Sequence, residues 1–348
     1  MDIQSGTNGL WLSLTSGGNF TGGYVTTNLN GITYLGGGNF NLNGTITCTN
    51  VLFGGGYLVG TNVIRGGLNW QNGQWNNTVV TLSSNNVLII NNSAFTKGIN
   101  GSILTNYGTV NWSAGAVNAD GGTVIDNYGQ WNAQSSQTFY GSVVFNNIGT
   151  FIKSGGVGGY PGTYFYGGTT FNQAGGTLSV QTGDVTLGGT YSLTNGTLNF
   201  GINSLIDNGR LQLGTLTLGG TLSATVSGSF APAVGDEFGV IGSSGLNGGF
   251  TSANLPAGIV VSNINNTVFL IVTGPVPVQL LNPQPVGTNF LFQFPTVSGQ
   301  SYTVQRNDVL SSTNWVYYTN ITGSGTLFQF QTPVTVTPPQ RFFRVRQP

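Results

Sequence analysis

Apolar and polar residues alternate along this chain in runs of only three to five, and each run ends at a cluster of Gly and Asn. Nowhere do apolar positions recur at the three-and-four spacing of an amphipathic helix, so every element is expected to be a strand. One unit recurs: Asn106-Tyr-Gly-Thr-Val110, Asn127-Tyr-Gly-Gln-Trp131, Asn147-Ile-Gly-Thr-Phe151, Gln173-Ala-Gly-Gly-Thr-Leu178 and Thr194-Asn-Gly-Thr-Leu198. Its large apolar residue falls at 110, 131, 151, 178 and 198, in steps of 21, 20, 27 and 20. A second series, Val124-Ile-Asp-Asn127, Val144-Phe-Asn-Asn147 and Leu205-Ile-Asp-Asn208, runs through the same region. Strand-and-turn repeats of about 20 residues predict an all-β chain built as a parallel β-helix, a β-solenoid. One rung cannot bury its inward side chains, whereas rungs stacked ~4.8 Å apart pair every strand with the next turn. Val110, Trp131, Phe151, Leu178 and Leu198 are therefore expected to stack as an inward ladder. The Asn and Gly before them are expected to supply positive-φ corners.

The coil is expected over residues 1–225. A different pattern follows over 226–273: Val234-Gly-Asp-Glu-Phe-Gly-Val-Ile241, Gly245-Leu-Asn-Gly-Gly-Phe250, Leu255-Pro-Ala-Gly258 and Val268-Phe-Leu-Ile-Val272. These anchors, in this order, resemble the module that follows the β-helix repeats of autotransporter-type, adhesin-like secreted bacterial proteins. The membrane barrel of autotransporters has no counterpart in the chain, so their export route is not implied. Gly274-Pro-Val-Pro277 reads as a stiff linker. Beyond it, Phe290–Phe294, Ser301–Gln305, Trp315–Tyr318, Leu327–Phe330 and Arg341–Arg346 are strand-like runs separated by turn residues, which predicts a small C-terminal β-sandwich over 274–348. Tyr302-Thr-Val-Gln, Asn314-Trp315 and Phe343-Arg-Val are similar to fibronectin type III modules at the ends of large secreted bacterial proteins. That resemblance implies attachment at a cell surface.

Charge is scarce: 8 Lys+Arg and 8 Asp+Glu in 348 residues, with no His. No basic footprint exists for nucleic acid, so none is expected as a partner. His catalysis and His metal ligation are excluded, no cofactor is expected, and the short apolar runs predict no membrane insertion. Cys48 stands alone and is expected to be a small buried residue. The first residues resemble no leader, and the composition reads as that of a mature secreted protein. β-Solenoids include polysaccharide-active enzymes, whose sites need acids paired across neighbouring rungs. Asp126 and Asp207 precede Asn at what reads as the same repeat position and are expected to cap corners. Asp184 and Asp207 come closest to a cross-rung pair but sit in different turn motifs, so no active site is expected.

Two features suggest recognition instead. The 27-residue step implies an insertion carrying Tyr160, Tyr164 and Tyr166, a candidate contact for surface glycans or protein. Trp70, Trp75, Trp112 and Trp131 are weaker candidates, Trp131 and Trp75 being better explained as core. At the leading end, Leu10, Trp11 and Leu12 open directly into an alternating strand without a capping helix. An uncovered solenoid edge invites strand addition from another molecule, and unlike ends joined head to tail give an open filament. Residues 1–274 hold 4 basic and 7 acidic residues, net −3, and residues 275–348 hold 4 basic and 1 acidic, net +3. Arg341, Arg344 and Arg346 are thus the candidate contacts at the trailing end. The expectation is a secreted, extracellular structural protein that polymerises with itself. A monomeric glycan-binding adhesin is the alternative, and a polysaccharide-active enzyme a distant third.

Overall fold

The computed structural model describes residues 2–3, 11–21, 24–26, 32–156, 162–334 and 340–347. Among these no helix occurs, and the main body is a parallel β-solenoid of about nine turns of roughly 22 residues. The turns are longer than the 20-residue spacing predicts because corner loops vary. A turn consists of three short strands, as in Thr109–Trp112, Val117–Asp120 and Val124–Asn127, so the coil has three faces. Each strand pairs in parallel with its counterpart one turn away, Thr109–Trp112 with Val87–Ile90 below and Gln130–Ala133 above.

Leu68, Leu88, Val110, Trp131, Phe151, Leu178, Leu198 and Leu222 stand in register on successive turns and are buried. The five residues singled out by their spacing therefore do form one inward ladder. The step of 27 is absorbed at the corner after Lys153, because the strands on either side of it remain in register. The four tryptophans 70, 75, 112 and 131 have no exposed surface. They are core, with Trp70 and Trp75 stacked at 4.3 Å, and none can serve as a recognition surface.

At two of the five copies the corner glycine does take positive φ, Gly175 in Gln173-Ala-Gly-Gly and Gly196 in Thr194-Asn-Gly; at the other three the corners work differently. Asn106, Asn127 and Asn147 lack positive φ, as do Gly108, Gly129 and Gly149. The three asparagines are fully buried and in register with one another and with Gln173. Asn106 Nδ2 donates to Asn127 Oδ1 at 2.7 Å, Asn127 Nδ2 to Asn147 Oδ1 at 2.8 Å, and Asn147 Nδ2 to Gln173 Oε1 at 3.0 Å. Each amide also reaches a backbone carbonyl on the next turn: Gln130 O, Thr150 O and Thr177 O. The glycines serve close approach. A Cβ on Gly129 would lie 2.1 Å from Gly108 O, and one on Gly149 would lie 2.2 Å from Gly129 O. Further positive-φ bends occur at Gly56, Gly60 and Gly73 within the continuous strand Asn39–Leu82.

Leu205-Ile-Asp-Asn208 is not a third copy of the second series. Val124–Asn127 and Val144–Asn147 are paired strands, whereas 205–208 is a projecting turn in which Ile206 is 97% exposed. The next strand begins at Gly209, in register with Gly183. Residues 226–273 share the coil's core through Phe238, Val240, Ile241, Val268, Leu270 and Val272. Glu237–Gly248 lies parallel to Gly209–Leu218 and antiparallel to Thr267–Val272, which forms a hairpin with Ile259–Ile264. The Gly-Asp and Leu-Pro-x-Gly anchors are its turns: Asp236 Oδ2 accepts from the Ala233 amide, and Gly258 takes positive φ.

The C-terminal region forms two three-stranded antiparallel sheets closing on Phe292, Phe294, Tyr302, Val304, Ile321 and Phe330. All five expected strands are present. A sixth, Leu281–Val286, was not anticipated, because its sequence Leu-Asn-Pro-Gln-Pro-Val contains two prolines; it is an exposed edge strand, where Pro costs no ladder hydrogen bond.

The buried amide column is directly testable. Asn127→Ala takes away one of the two acceptors of the Asn106 amide and the Asn127 donors to Asn147 Oδ1 and Thr150 O, and should cost about 2–4 kcal/mol of unfolding free energy. Asn132→Ala removes only outer-face bonds, one donated to Asn111 and one accepted from Gln130, and should cost under about 1 kcal/mol. Urea unfolding of both variants measures the difference, and equal costs would contradict the role of the column.

Candidate functional site

The acidic residues do not converge. Asp126 accepts from Asn146 Nδ2 at 2.8 Å on an outer face. Asp207 takes Thr182 Oγ1 at 2.6 Å and Asn203 Nδ2 at 3.3 Å. Asp184 is buried and stands in register not with another acid but with Arg210, whose Nε donates to it at 2.7 Å. Among the described residues no group of three or more Cys, Asp and Glu could hold a metal ion. Among the described residues no helix is long and apolar enough to cross a membrane.

Two lysines occupy inward positions that other turns fill with apolar side chains. Lys97 heads the column Val117, Phe139, Phe165, Leu187 and Leu213. Lys153 interrupts the column Trp112, Ala133, Val180 and Phe200. Both are buried, and each ammonium turns to corner carbonyls: Lys97 Nζ donates to Asn92 O and to Phe95 O at 2.9 Å, and Lys153 Nζ donates to Gly155 O. Desolvation pulls both pKa values down to about 8, opposed at Lys153 by the Asp184 carboxylate. Sequence reasoning passed them over, although the alternation from Phe151 places Lys153 on the inward face.

The candidate contact residues are dispersed. Leu10 and Tyr160 lie outside the described residues, as do the side chains of Trp11, Leu12 and Cys48; Trp11 and Leu12 belong to the strand Trp11–Leu14. Tyr164 and Tyr166 are not part of the inserted loop. Tyr164 is a rung residue in register with Thr138 and Thr186, and Phe165 beside it points into the core. Tyr166 is half exposed at the following corner, with its ring 5.7 Å from Tyr140 and 5.6 Å from Tyr164. At another corner Tyr107 and Tyr128 stack in the open at 5.0 Å, an outer ladder made by the residue between Asn and Gly of the repeat. Arg341 is held by Asp308 at 3.0 Å. Arg344 donates to Gln305 at 2.8 Å and lies over the Trp315 ring at 4.5 Å, and Arg346 is exposed on the same strand. The structure brings Tyr164 and Tyr166 together and leaves the arginines on a separate sheet.

Beside Tyr164 the coil has a defect. Thr190–Ser192 pairs with Thr170–Gln173 on one side only, while Gly209–Leu218 passes on to pair with Glu237–Gly248. Across the gap, Tyr191 Oη donates to Thr215 O at 2.8 Å. A groove of about 350 Å³ opens there, lined by Tyr164, Tyr191, Gly188, Gly214, Thr186 and Gln212 among others. The neighbouring charges on the same strands, Asp184 and Arg210, neutralise each other. No protein-family model, curated protein or solved structure matches the chain.

The buried lysines set a pH response. Between about pH 8 and 10 the unfolded chain, with ordinary ammonium groups, binds more protons than the folded one, so stability should rise with pH across that window. Below pH 8 both states hold the proton and these groups contribute no slope. Above about pH 10 the phenols of Tyr191 and Tyr302, raised by burial, reverse the sign. Calorimetric melting temperatures should climb from pH 8 to 10 in the wild-type protein and stay flat in Lys97→Met/Lys153→Met.

Proposed function

We propose that the chain is a structural protein of an extracellular surface: a non-catalytic β-solenoid rod that joins further copies of itself head to tail into a filament or matrix. One observation carries this reading. Among the described residues, the first turn is paired on one side only in all three faces: Asp2–Ile3 with Tyr24–Thr26, Trp11–Leu14 with Ile32–Leu35, and Gly18–Thr21 with residues 40–43. The last turn is closed on one face by its antiparallel hairpin and has unpaired strands on the other two. Residues 245–248 pair only with 215–218, and 252–254 only with 221–223.

Unpaired strand edges are templates for further strands, and a solitary rod would have to cover them. Both ends run parallel and differ from one another, so their union repeats without closing. A shallow pocket of about 430 Å³ lined by Leu218, Phe250, Ala253 and Val261 adds apolar surface at the trailing end. The net charge of zero removes the repulsion that keeps copies apart. A composition with so few charged side chains suits a wall or fibre, where hydrogen-bonded ladders carry stability.

Sedimentation velocity and negative-stain imaging test the reading. Wild-type protein should form rods that lengthen with concentration. Ser252→Lys/Asn254→Lys, which places charge on an edge whose side chains are exposed, should keep the fold and the melting temperature while stopping growth. Monodisperse monomers of wild-type protein at high concentration would rule the proposal out.

A further inference from the structure

The groove beside Thr190–Ser192 carries an inference independent of assembly. We propose that it is a binding site for a neutral oligosaccharide, seated on Tyr164 and Tyr191 and extending toward Tyr166 and Tyr140. A pyranose has an apolar C–H face and a rim of hydroxyls, each both donor and acceptor. The site answers both. Tyr164 and Tyr191 offer flat rings whose orientation is set by the coil: Tyr191 is anchored by its bond to Thr215 O, and Tyr164 by packing over Gly188, where a Cβ would come within 2.7 Å of the ring. Gln212 and Thr186 stand in register beside them, and the three-residue strand has an unpaired side facing the gap. Tyr166, Tyr140 and Tyr164 continue the aromatic surface over a neighbouring turn, so the platform is longer than one sugar ring.

Charge selects the class. With Asp184 and Arg210 joined to each other, the lining carries no unpaired charge for an anionic ligand, a metal ion or a nucleotide. An isolated three-residue edge offers an added peptide few ladder bonds, whereas the ends of the rod offer several faces at once. The volume lies near the lower end of small-molecule sites, about 300–1,000 Å³, and the groove is open rather than enclosed, which fits one or two rings of a longer chain.

The test uses the full-length protein with maltohexaose, cellohexaose and chitohexaose as probes, read by saturation-transfer difference NMR and titration calorimetry. At least one hexasaccharide should bind saturably with a Kd of order 1 mM. Gly188→Ala is the informative variant. Gly188 has no positive φ, and the atoms nearest its added methyl belong to the outer end of the Tyr164 ring rather than to backbone, so the coil should keep its melting temperature while the ring is displaced. Affinity should fall about three- to ten-fold, the worth of one aromatic contact, and Tyr164→Ala and Tyr191→Ala should do the same. Tyr107→Ala, on a corner elsewhere, should leave affinity unchanged. Absence of saturable binding by all three sugars at about 10 mM, ten times the expected Kd, overturns the proposal, as does binding that survives both Gly188→Ala and Tyr164→Ala.

Discussion

The constraint on which the coil depends is the burial of amide side chains at one corner. A polar group inside a stack of turns can be satisfied only by the turn above or below, and only when the turns superpose. The column Asn106, Asn127, Asn147 and Gln173 meets that condition: each asparagine amide donates to a side-chain oxygen and to a carbonyl one turn on, and Gln173 ends the series on the carbonyls of Gly176 and Thr197. Sliding one turn by a single residue would leave several such groups unpaired at once and also turn the apolar ladder outward. The glycines that follow let the backbones come close enough for these bonds. Register, face assignment and corner geometry are therefore one decision, made at the corner and propagated along the faces.

The same constraint explains which features were legible in the sequence. Val110, Trp131, Phe151, Leu178 and Leu198 could be aligned because burial in stacked turns imposes both the period and the apolar type. The Asn-x-Gly signature could be located but not interpreted: the pair that marks a positive-φ turn in isolation here marks a buried amide and a close backbone contact, and only stacking separates the two. Leu205-Ile-Asp-Asn208 copied the letters of a rung without its neighbours, and without them it became a projecting turn. Tyr164 was placed in an insertion because the extra residues could not be divided between loop and strand until Phe165 was seen inside the coil. Lys97 and Lys153 were invisible because a charged residue is read as exposed, whereas the corner carbonyls accept its protons.

Repetition has a consequence for function. Where the three faces continue, each strand is paired on both sides, its inward residues are buried, and its outer positions repeat as Asn, Thr and Tyr ladders such as Asn111 with Asn132 and Asn146 with Asn172. Such a surface is uniform and mostly engaged with itself, so it distinguishes no point along the rod. A specific contact needs a place where pairing stops.

Among the described residues the pairing stops at the two ends and at the gap beside Thr190–Ser192, and the physical character of the breaks differs. The ends expose edges on two or three faces, parallel in sense; the occupant proposed for them is another stack of strands. The gap exposes one short edge beside two aromatic rings with little space; the occupant proposed for it is small, flat-faced and rich in hydroxyls. Because Tyr191 bridges the gap to Thr215, that opening is held by the fold, and a ligand entering it would not have to separate paired strands. Assembly and ligand binding can then coexist on one rod, since neither uses the surface of the other.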